Sequence, residues 1–408
     1  MAGLRRRSVV VAPGVPFVSM TVGVRTCPLC EATCGLELHL DGREVTLVRG
    51  DRDDVFSHGF LCPKGSAIGR LDADPDRIRA PLVRADGDWK AVEWAEAFAV
   101  IEAGLTPILD THGRDAVGVY LGNPNVHNLA GLLYNRALLQ ALGSRNVFSA
   151  STVDQMPKQV AAGLMFGAGL SIPVPDVDRT DYLLMLGANP FASNGSLLTA
   201  PDLPGRLRAL RARGGQLVVV DPRRTKTADE ADEHLFIRPA TDAYFLAGVV
   251  HTLLDESLAD PGRLRDHVVG LDALHGLTRD FAPERVAAIC GIDASSIRRV
   301  ARDLAHAPRA AVYARLGTCA QAFGTLASWL VEVCNVLTGN LDRAGGAMFA
   351  RPAAGALTRP ARRASGAACG SAATPAGSEA CPRCSASCRS SASPRRSRLR
   401  VRDRSARW

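Results

Sequence analysis

The chain has 408 residues, 47% of them apolar, which is enough for two or three domains with sizeable cores. Its formal charge of +8 is misleading as a guide to partners: residues 351–408 carry thirteen arginines, no lysine and only Glu379 and Asp403 as acids, so the main body is slightly acidic. A nucleic-acid partner is therefore not expected, and no apolar run is long enough to suggest a membrane span.

The first nineteen residues contain Arg5-Arg6-Arg7 and a short apolar stretch broken by Pro13 and Pro16. Two readings stand there: an over-extended start with translation from Met20, or an export signal of the twin-arginine kind. Next comes Cys27-Pro-Leu-Cys30-Glu-Ala-Thr-Cys34, and Cys62-Pro-Lys-Gly follows further on. Three thiolates on one tight loop can take three corners of a cubane, and a fourth must return from elsewhere. Four thiolates with no further ligand suit a [4Fe-4S] cluster. A structural zinc site is the alternative, although zinc ribbons favour two matched Cys-x2-Cys knuckles. Between the two halves, Leu36–Leu40 and Glu44–Val48 alternate apolar and polar residues around Asp41-Gly42. This predicts a β-hairpin with a type I′ turn, which carries the chain out and back. Lys64, beside Cys62, is a candidate for tuning the cluster or lying on an electron path; an ordinary surface lysine is the plain reading.

Further along, a helix is predicted over 91–110, a buried strand at Val117–Leu121, and helices over 127–142 and 153–168, with Pro157 in the first turn of the latter. Tyr182–Leu186 is a continuous apolar strand ending in Gly187-Ala-Asn189-Pro190. A helix over 203–213, ended by Gly214-Gly215, leads to a strand at Gln216–Val220, which ends in Asp221-Pro-Arg223-Arg224-Thr225. Helices near 241–256 and 293–306, a strand at Ala310–Ala314 and a long helix over 321–338 complete the pattern. Thr241 or Asp242 is expected to cap the first of these. Strands alternating with helices mean an α/β fold with mainly parallel sheets. In such sheets ligands sit at the carboxyl ends of strands. Gly187 would permit close approach, Asn189 offers an amide, Asp221 could accept from a ribose hydroxyl or a guanine edge, and Arg223 could meet phosphate. No Gly-x-Gly-x-x-Gly is present, so a nicotinamide dinucleotide is not supported.

Beyond Ala350 the hydrophobic periodicity stops, and residues 351–408 are expected to be a disordered basic tail, either natural or the product of a frameshift. Cys381-Pro-Arg-Cys384-Ser-Ala-Ser-Cys388 repeats the cluster spacing there without a fourth cysteine.

The cysteine loop, Cys62-Pro-Lys-Gly and the Gly-Ala-Asn-Pro strand end together resemble the molybdopterin oxidoreductase family of formate dehydrogenases and periplasmic-type nitrate reductases, over residues 20–349. The resemblance implies a [4Fe-4S] cluster on Cys27, Cys30, Cys34 and Cys62, and a bis(molybdopterin guanine dinucleotide) with molybdenum or tungsten. It implies nucleotide contacts from Gly187, Asn189, Pro190, Asp221, Arg223, Thr225 and Asp242, and gives Lys64 a place between cluster and pterin. Aligned on Pro157, the family's metal ligand falls on Asp154 and its neighbouring histidine on Gln155. Asp154 could equally cap a helix starting near Gln155. Without Cys and His at these positions, formate oxidation is not implied, and an oxygen-atom transfer or another two-electron reaction fits as well. The expected domains are a cluster domain over 20–75, a nucleotide-binding domain over 151–309, and a second α/β domain built from 76–150 with 310–350, left incomplete because family members continue beyond this chain. A small-molecule substrate, a redox partner protein and a cytoplasmic setting follow from the resemblance. A non-catalytic iron–sulfur protein or inert fragment is the rival reading.

Overall fold

A computed structural model describes residues 21–193, 198, 200–351 and 400–401. The expectations for residues 1–19, the Cys381 motif and nearly all of the basic tail lie outside the described residues. The chain forms two compact units: residues up to Phe148 together with 199–202, and the remainder.

The first unit opens with a three-stranded antiparallel sheet of β1 (Thr21–Thr26), β2 (Gly35–Asp41) and β3 (Glu44–Gly50). The hairpin is where the alternation placed it. Its turn differs from the expected type: of the two central residues only Gly42 has a positive φ, 57°, the pattern of a type II′ rather than a type I′ turn. Two short helices follow, α1 (Pro63–Ser66) and α2 (Ile68–Asp72), then a second hairpin of β4 (Leu82–Ala85) and β5 (Asp88–Ala91). There Asp86 and Gly87 both have positive φ, 56° and 90°, as a type I′ turn requires. The unit continues with α3 (Trp94–His112), β6 (Val119–Leu121), α4 (Pro124–His127), α5 (Leu129–Leu142) and β7 (Val147–Ser149), which pairs with β6. The strand expected to be buried at Val117–Leu121 is shorter and only partly covered, with Tyr120 exposed. None of the residues of α3 or α5 is buried.

The second unit begins with α6 (Ser151–Asp154) and α7 (Met156–Phe166), a short strand β8 (Val174–Pro175), and β9 (Tyr182–Leu186). Then come α8 (Pro190–Ser193), α9 (Leu203–Ala212), β10 (Gln216–Val220), α10 (Lys226–Asp229) and β11 (Glu233–Leu235). After α11 (Asp242–Asp255) follow β12 (Val268–Val269), α12 (Leu271–Thr278), α13 (Pro283–Cys290), α14 (Ala294–His306) and β13 (Ala310–Ala314). The unit closes with α15 (Leu316–Cys319), α16 (Gly324–Leu337), β14 (Ala347–Met348) and β15 (Arg400–Val401), the last paired with β12.

Its sheet is fully parallel, in the order β11-β10-β9-β13. Every residue of Tyr182–Leu186 and Ala310–Ala314 is buried, as continuous apolar runs in a parallel sheet covered on both faces should be. Burying one such leucine side chain contributes about 1.5–3 kcal/mol, so β9 anchors this unit. The strand β13 lies at the sheet edge, and its outer backbone groups are satisfied by side chains. Asn340 Oδ1 accepts from Ala310 N (3.2 Å), while the Asn335 amide accepts from Val312 N (2.9 Å) and donates to Val312 O (3.0 Å). An unpaired edge is thereby closed without another strand.

One expected domain assignment is corrected. Residues 310–350 belong with 151–309 in the second unit, because β13 hydrogen-bonds to β9 along its whole length and α16 packs over it. Sequence separation from β9 says nothing about spatial adjacency in a sheet whose strand order reverses.

Candidate functional site

Cys27 follows directly on β1 and Cys34 directly precedes β2, so the antiparallel pairing of these strands closes the cysteine loop. Cys27 N donates to Cys34 O at 2.7 Å, and inside the loop Thr33 N donates to Cys30 O at 3.3 Å. Thr33 sits at φ 50°, in the left-handed region, which lets the loop turn back within so few residues.

Cys62 is returned to this loop by a second local device. The Asp54 carboxylate accepts from Ser57 N (2.6 Å), Ser57 Oγ (2.7 Å) and Phe56 N (3.1 Å), and Ser57 Oγ in turn accepts from Gly35 N at 3.0 Å. Partial burial opposes the charge on Asp54, yet these hydrogen bonds from Ser57 and Phe56 hold its carboxyl below the usual range. Asp51 N also donates to Gly35 O, at 3.0 Å. The loop before Cys62 is thus tied to the residue immediately after Cys34. Cys62 then begins α1 with Pro63 in the first turn, and its carbonyl accepts from Ser66 N at 3.1 Å. Gly65 is buried here; a Cβ on it would meet Leu61 Cδ1 at 2.5 Å and lie 3.9 Å from Cys27 Sγ.

The four thiols sense one another. Cys34 is pushed up to about 11, mainly by burial and then by the neighbouring Cys27, Cys30 and Cys62. Cys27 is raised too, first by burial and further by Cys30 and Cys62, against a hydrogen bond from the Leu29 backbone. Four buried or half-buried thiols that repel one another as thiolates need a cationic centre to be charged together, which a metal cluster supplies. Among the described residues, no three His, Cys, Asp or Glu side chains are gathered tightly enough for a single metal ion. A cubane takes one thiolate on each of its separate irons, so a set of four cysteines can supply its ligands. Leu36, Ala32 and the partly buried Leu29, Phe60, Leu61 and Ile68 pack around the cysteines and limit water access. Lys64 is exposed on α1, in the same unit.

In the second unit the strand order reverses between β9 and β13, which marks the carboxyl-end crevice where α/β sheets bind ligands. The loops leaving these strands touch through glycines. Gly187 has φ 54°, and a Cβ on it would stand 2.8 Å from Gly317 Cα and from Thr318 N. Gly317 N donates to Gly187 O at 3.0 Å, and Gly187 N to Val220 O at 3.0 Å. Asn189 Oδ1 accepts from Thr227 Oγ1 at 2.8 Å, which joins the β9 and β10 loops and leaves the Asn189 amide N–H groups as donors. Pro190 starts α8 and is buried. Asp221 Oδ1 accepts from Arg223 N at 2.9 Å, and Arg223 is exposed.

Asp242 is buried in the first turn of α11, where Gln321 Nε2 donates to its Oδ2 at 2.7 Å. Burial raises its pKa, opposed by the Gln321 hydrogen bond, and the nearby Asp221 carboxylate raises it further. Gln321 Oε1 is buried with no hydrogen-bond partner among the described residues. Two carboxylates, an orphaned amide oxygen and a glycine-lined approach at one strand-end crevice suit a nucleotide edge rich in N–H donors.

The helix caps differ from those expected. Thr225 caps α10, its hydroxyl accepting from Ala228 N at 3.1 Å. Neither Thr241 nor Asp242 caps α11: Thr241 Oγ1 donates to Arg238 O at 2.6 Å, and Asp242 faces Gln321 instead. Asp154 is not a helix cap either. It is the last residue of α6, and Gln155 stands at the start of α7 without a side-chain cap. Asp154, Gln155 and the nucleotide-side residues share the second unit, while the cysteines and Lys64 share the first. The sequence reading gave no individual role to Thr227, Gly317 or Gln321: the first gains one from the pairing of β10 with β9, the other two from that of β13 with β9.

Comparison with known proteins bears on both units. Residues 77–380 match the molybdopterin oxidoreductase family and residues 20–71 its Fe4S4 domain. The chain is 25% identical over 322 residues to the F420-dependent formate dehydrogenase subunit alpha of Methanocaldococcus jannaschii, covering 78% of this chain and 46% of that protein. It is 27% identical to a nitrate reductase of Symbiobacterium thermophilum (79% and 44% covered) and 28% identical to the molybdopterin-containing subunit of thiosulfate reductase from Salmonella typhimurium (78% and 41%). The chain therefore spans less than half the length of these curated relatives. Among solved structures, acetylene hydratase from Pelobacter acetylenicus shares the fold, with a TM-score of 0.65 at 24% identity over 78% of this chain and 43% of that one. No helix among the described residues is long and apolar enough to cross a membrane.

Proposed function

The chain belongs to the molybdopterin oxidoreductase family, and we propose that it forms the cofactor-binding part of an enzyme that moves electrons between a small substrate at a molybdenum or tungsten centre and a [4Fe-4S] cluster. The observation that carries this reading is that Cys27 and Cys34, raised first by burial, are raised further by neighbouring cysteines that include Cys30 and Cys62, in a segment that matches the family's Fe4S4 domain.

In this proposal Cys27, Cys30, Cys34 and Cys62 hold the cluster. Gly187, Asn189 and Pro190 let a pterin guanine dinucleotide approach the end of β9; Asp221 and Asp242 accept from guanine N–H groups, and Arg223 meets phosphate. Asp154 is the metal ligand and Gln155 its neighbour. When bound, the metal supplies the two-electron chemistry, and Lys64 lies on the electron path toward the cluster. A carboxylate in place of a thiolate ligand suits a harder, high-valent metal, so a two-electron reaction other than formate oxidation is preferred. Several relatives are named as subunits, which supports a redox partner protein as the electron acceptor or donor. Cys290, Cys319 and Cys334, the described cysteines outside the cluster, form no disulfide, which suits a reducing compartment, and we place the protein in the cytoplasm.

The test is anaerobic purification followed by analysis of iron, acid-labile sulfide, molybdenum, tungsten and acid-released guanine nucleotide. Equal iron and sulfide with a stoichiometric heavy metal and guanine nucleotide are expected. Iron and sulfide alone would overturn the proposal in favour of a cluster-only protein.

A further inference from the structure

One buried charged group in the second unit is unused by the site described above. Lys158 lies on α7 one helical turn beyond Asp154, and it is buried. Its Nζ donates to Ala314 O at 3.1 Å and stands 4.8 Å from the Tyr313 ring centroid. The acceptor matters. Ala314 is the last residue of β13, at the ligand end of the sheet, and Asn340, Asn335 and Lys158 in turn satisfy the outer edge of that strand at Ala310, Val312 and Ala314. Lys158 is thus the final link in a series of side chains that closes this edge, and the only one of the three supplied by α7 rather than by α16 or the turn after it.

Its counter-charge is also buried. Glu332 on α16 accepts from Asn335 Nδ2 at 3.1 Å, the same amide that binds Val312. Burial pushes Lys158 down and Glu332 up to about 7, and each charge partly offsets the burial of the other. The two side chains line a common small cavity with Ala161, Ala162 and Ser328. Its volume, about 10 Å³, is close to the space one water occupies.

We propose that Lys158 is a positioning residue, which with Glu332 clamps α7 onto the ligand end of β13 and thereby fixes where the Ser151–Pro157 segment presents Asp154 and Gln155. This rests on the reading of Asp154 as the metal-facing residue. A methionine would fill similar volume but neither donate to Ala314 O nor balance Glu332. Within the segment, Val153 N and Asp154 N donate to Ala150 O and Gln155 N donates to Ser151 O, all at 3.2 Å.

Amide hydrogen exchange on the full chain decides the matter, because it reads the segment whether or not a cofactor is loaded. Lys158→Met leaves Glu332 buried and unbalanced, so Lys158→Met/Glu332→Gln is compared with it to remove the burial of a lone charge. In the folded double variant, exchange over 151–157 should rise about tenfold while the Tyr182–Leu186 amides stay protected. Unchanged exchange over 151–157 overturns the proposal, and so does a uniform rise that includes β9, which would mean that the pair only stabilises the unit as a whole. Molybdenum and tungsten analysis of the unsubstituted chain accompanies the exchange. If neither metal is taken up, the reading of Asp154 fails separately, and the exchange result still decides whether the clamp exists.

Discussion

The two units hold their chemistry in opposite ways. In the second unit, β9 and β13 lie wholly inside a core that runs from Met165 on α7 through Phe245 and Val249 on α11 to Leu330 and Val333 on α16. Ligand-side groups there are placed by tertiary packing, and they come from positions as distant in sequence as Gly187 and Gln321. In the first unit, the described residues Cys27, Ala32, Cys34 and Leu36 form a small buried cluster. Trp94, Phe98, Leu132 and Tyr134, on its helices, remain more than half exposed. The cysteines are organised by short backbone and carboxylate hydrogen bonds within about 35 residues of chain rather than by a core. A site built from local hydrogen bonds depends on its ligand for rigidity; one built on a packed sheet keeps its shape alone.

The largest effect that tests this contrast comes from Cys34→Ser. Loss of one thiolate from the buried pair should remove the cluster, with iron falling below about a tenth of the unsubstituted level and the visible iron–sulfur absorbance gone. The contrast predicts more than that: amides over 21–66 should lose protection, while those of β9 and β10 should not change. Equal loosening of both units would show that the first contributes to the core of the second and would dissolve the distinction.

Gly187→Ala tests the other side. Its φ of 54° is unfavourable for alanine, and the new Cβ would stand 2.8 Å from backbone atoms of Gly317 and Thr318, which cannot yield as a side-chain tip could. A loss of about 1–3 kcal/mol is expected from the strain of a non-glycine residue in this conformation, measured by urea unfolding. Guanine nucleotide content should fall, since the β9 and β13 loops must separate, while iron content should hold. A variant that keeps both its stability and its nucleotide would remove Gly187 from the binding site.

What the sequence disclosed follows the same division. Tyr182–Leu186 and Ala310–Ala314 were legible to the residue, because five consecutive apolar side chains in a parallel sheet leave little choice of placement. The cysteine spacing was legible because its meaning is local. The Asp-Gly rule failed in an instructive way. Applied to Asp41-Gly42 it named the wrong turn type, since the central pair there is Gly42 and Arg43, and the hairpin with Asp86-Gly87 at its centre went unseen because its strands are four residues long with little alternation. Lys158 was illegible for another reason. A lysine in a helical pattern reads as a solvent-facing residue, and only the edge position of β13 gives its ammonium a buried acceptor. Asp154 looked like a cap because Asp before a helix often is one; the break between α6 and α7 falls one residue later.

The smallest effect concerns a terminus of the packed unit. The Asp293 carboxylate caps α14, accepting from the hydroxyls of Ser295 and Ser296 and from Ser296 N (2.8 Å). These bonds, the Ser295 and Ser296 hydroxyls first, bring its pKa from an ordinary 3.8 to about 2. Asp293→Ala should cost about 1 kcal/mol at neutral pH, the usual worth of such a cap. The helix itself should persist, because Ile297, Val300, Ala301 and Leu304 are buried against the sheet side of the unit. The sign of the pH dependence follows from the depressed value. Between the unfolded and folded pKa the unfolded chain binds the proton more readily, so the contribution is complete above about pH 4 and disappears as pH falls toward 2. Urea midpoints of the two proteins should therefore differ at pH 7 and converge near pH 2. A gap that persists at the acid end would mean that the side chain stabilises α14 through contacts other than its charge, and that this helix end is held by packing as firmly as the strands beneath it.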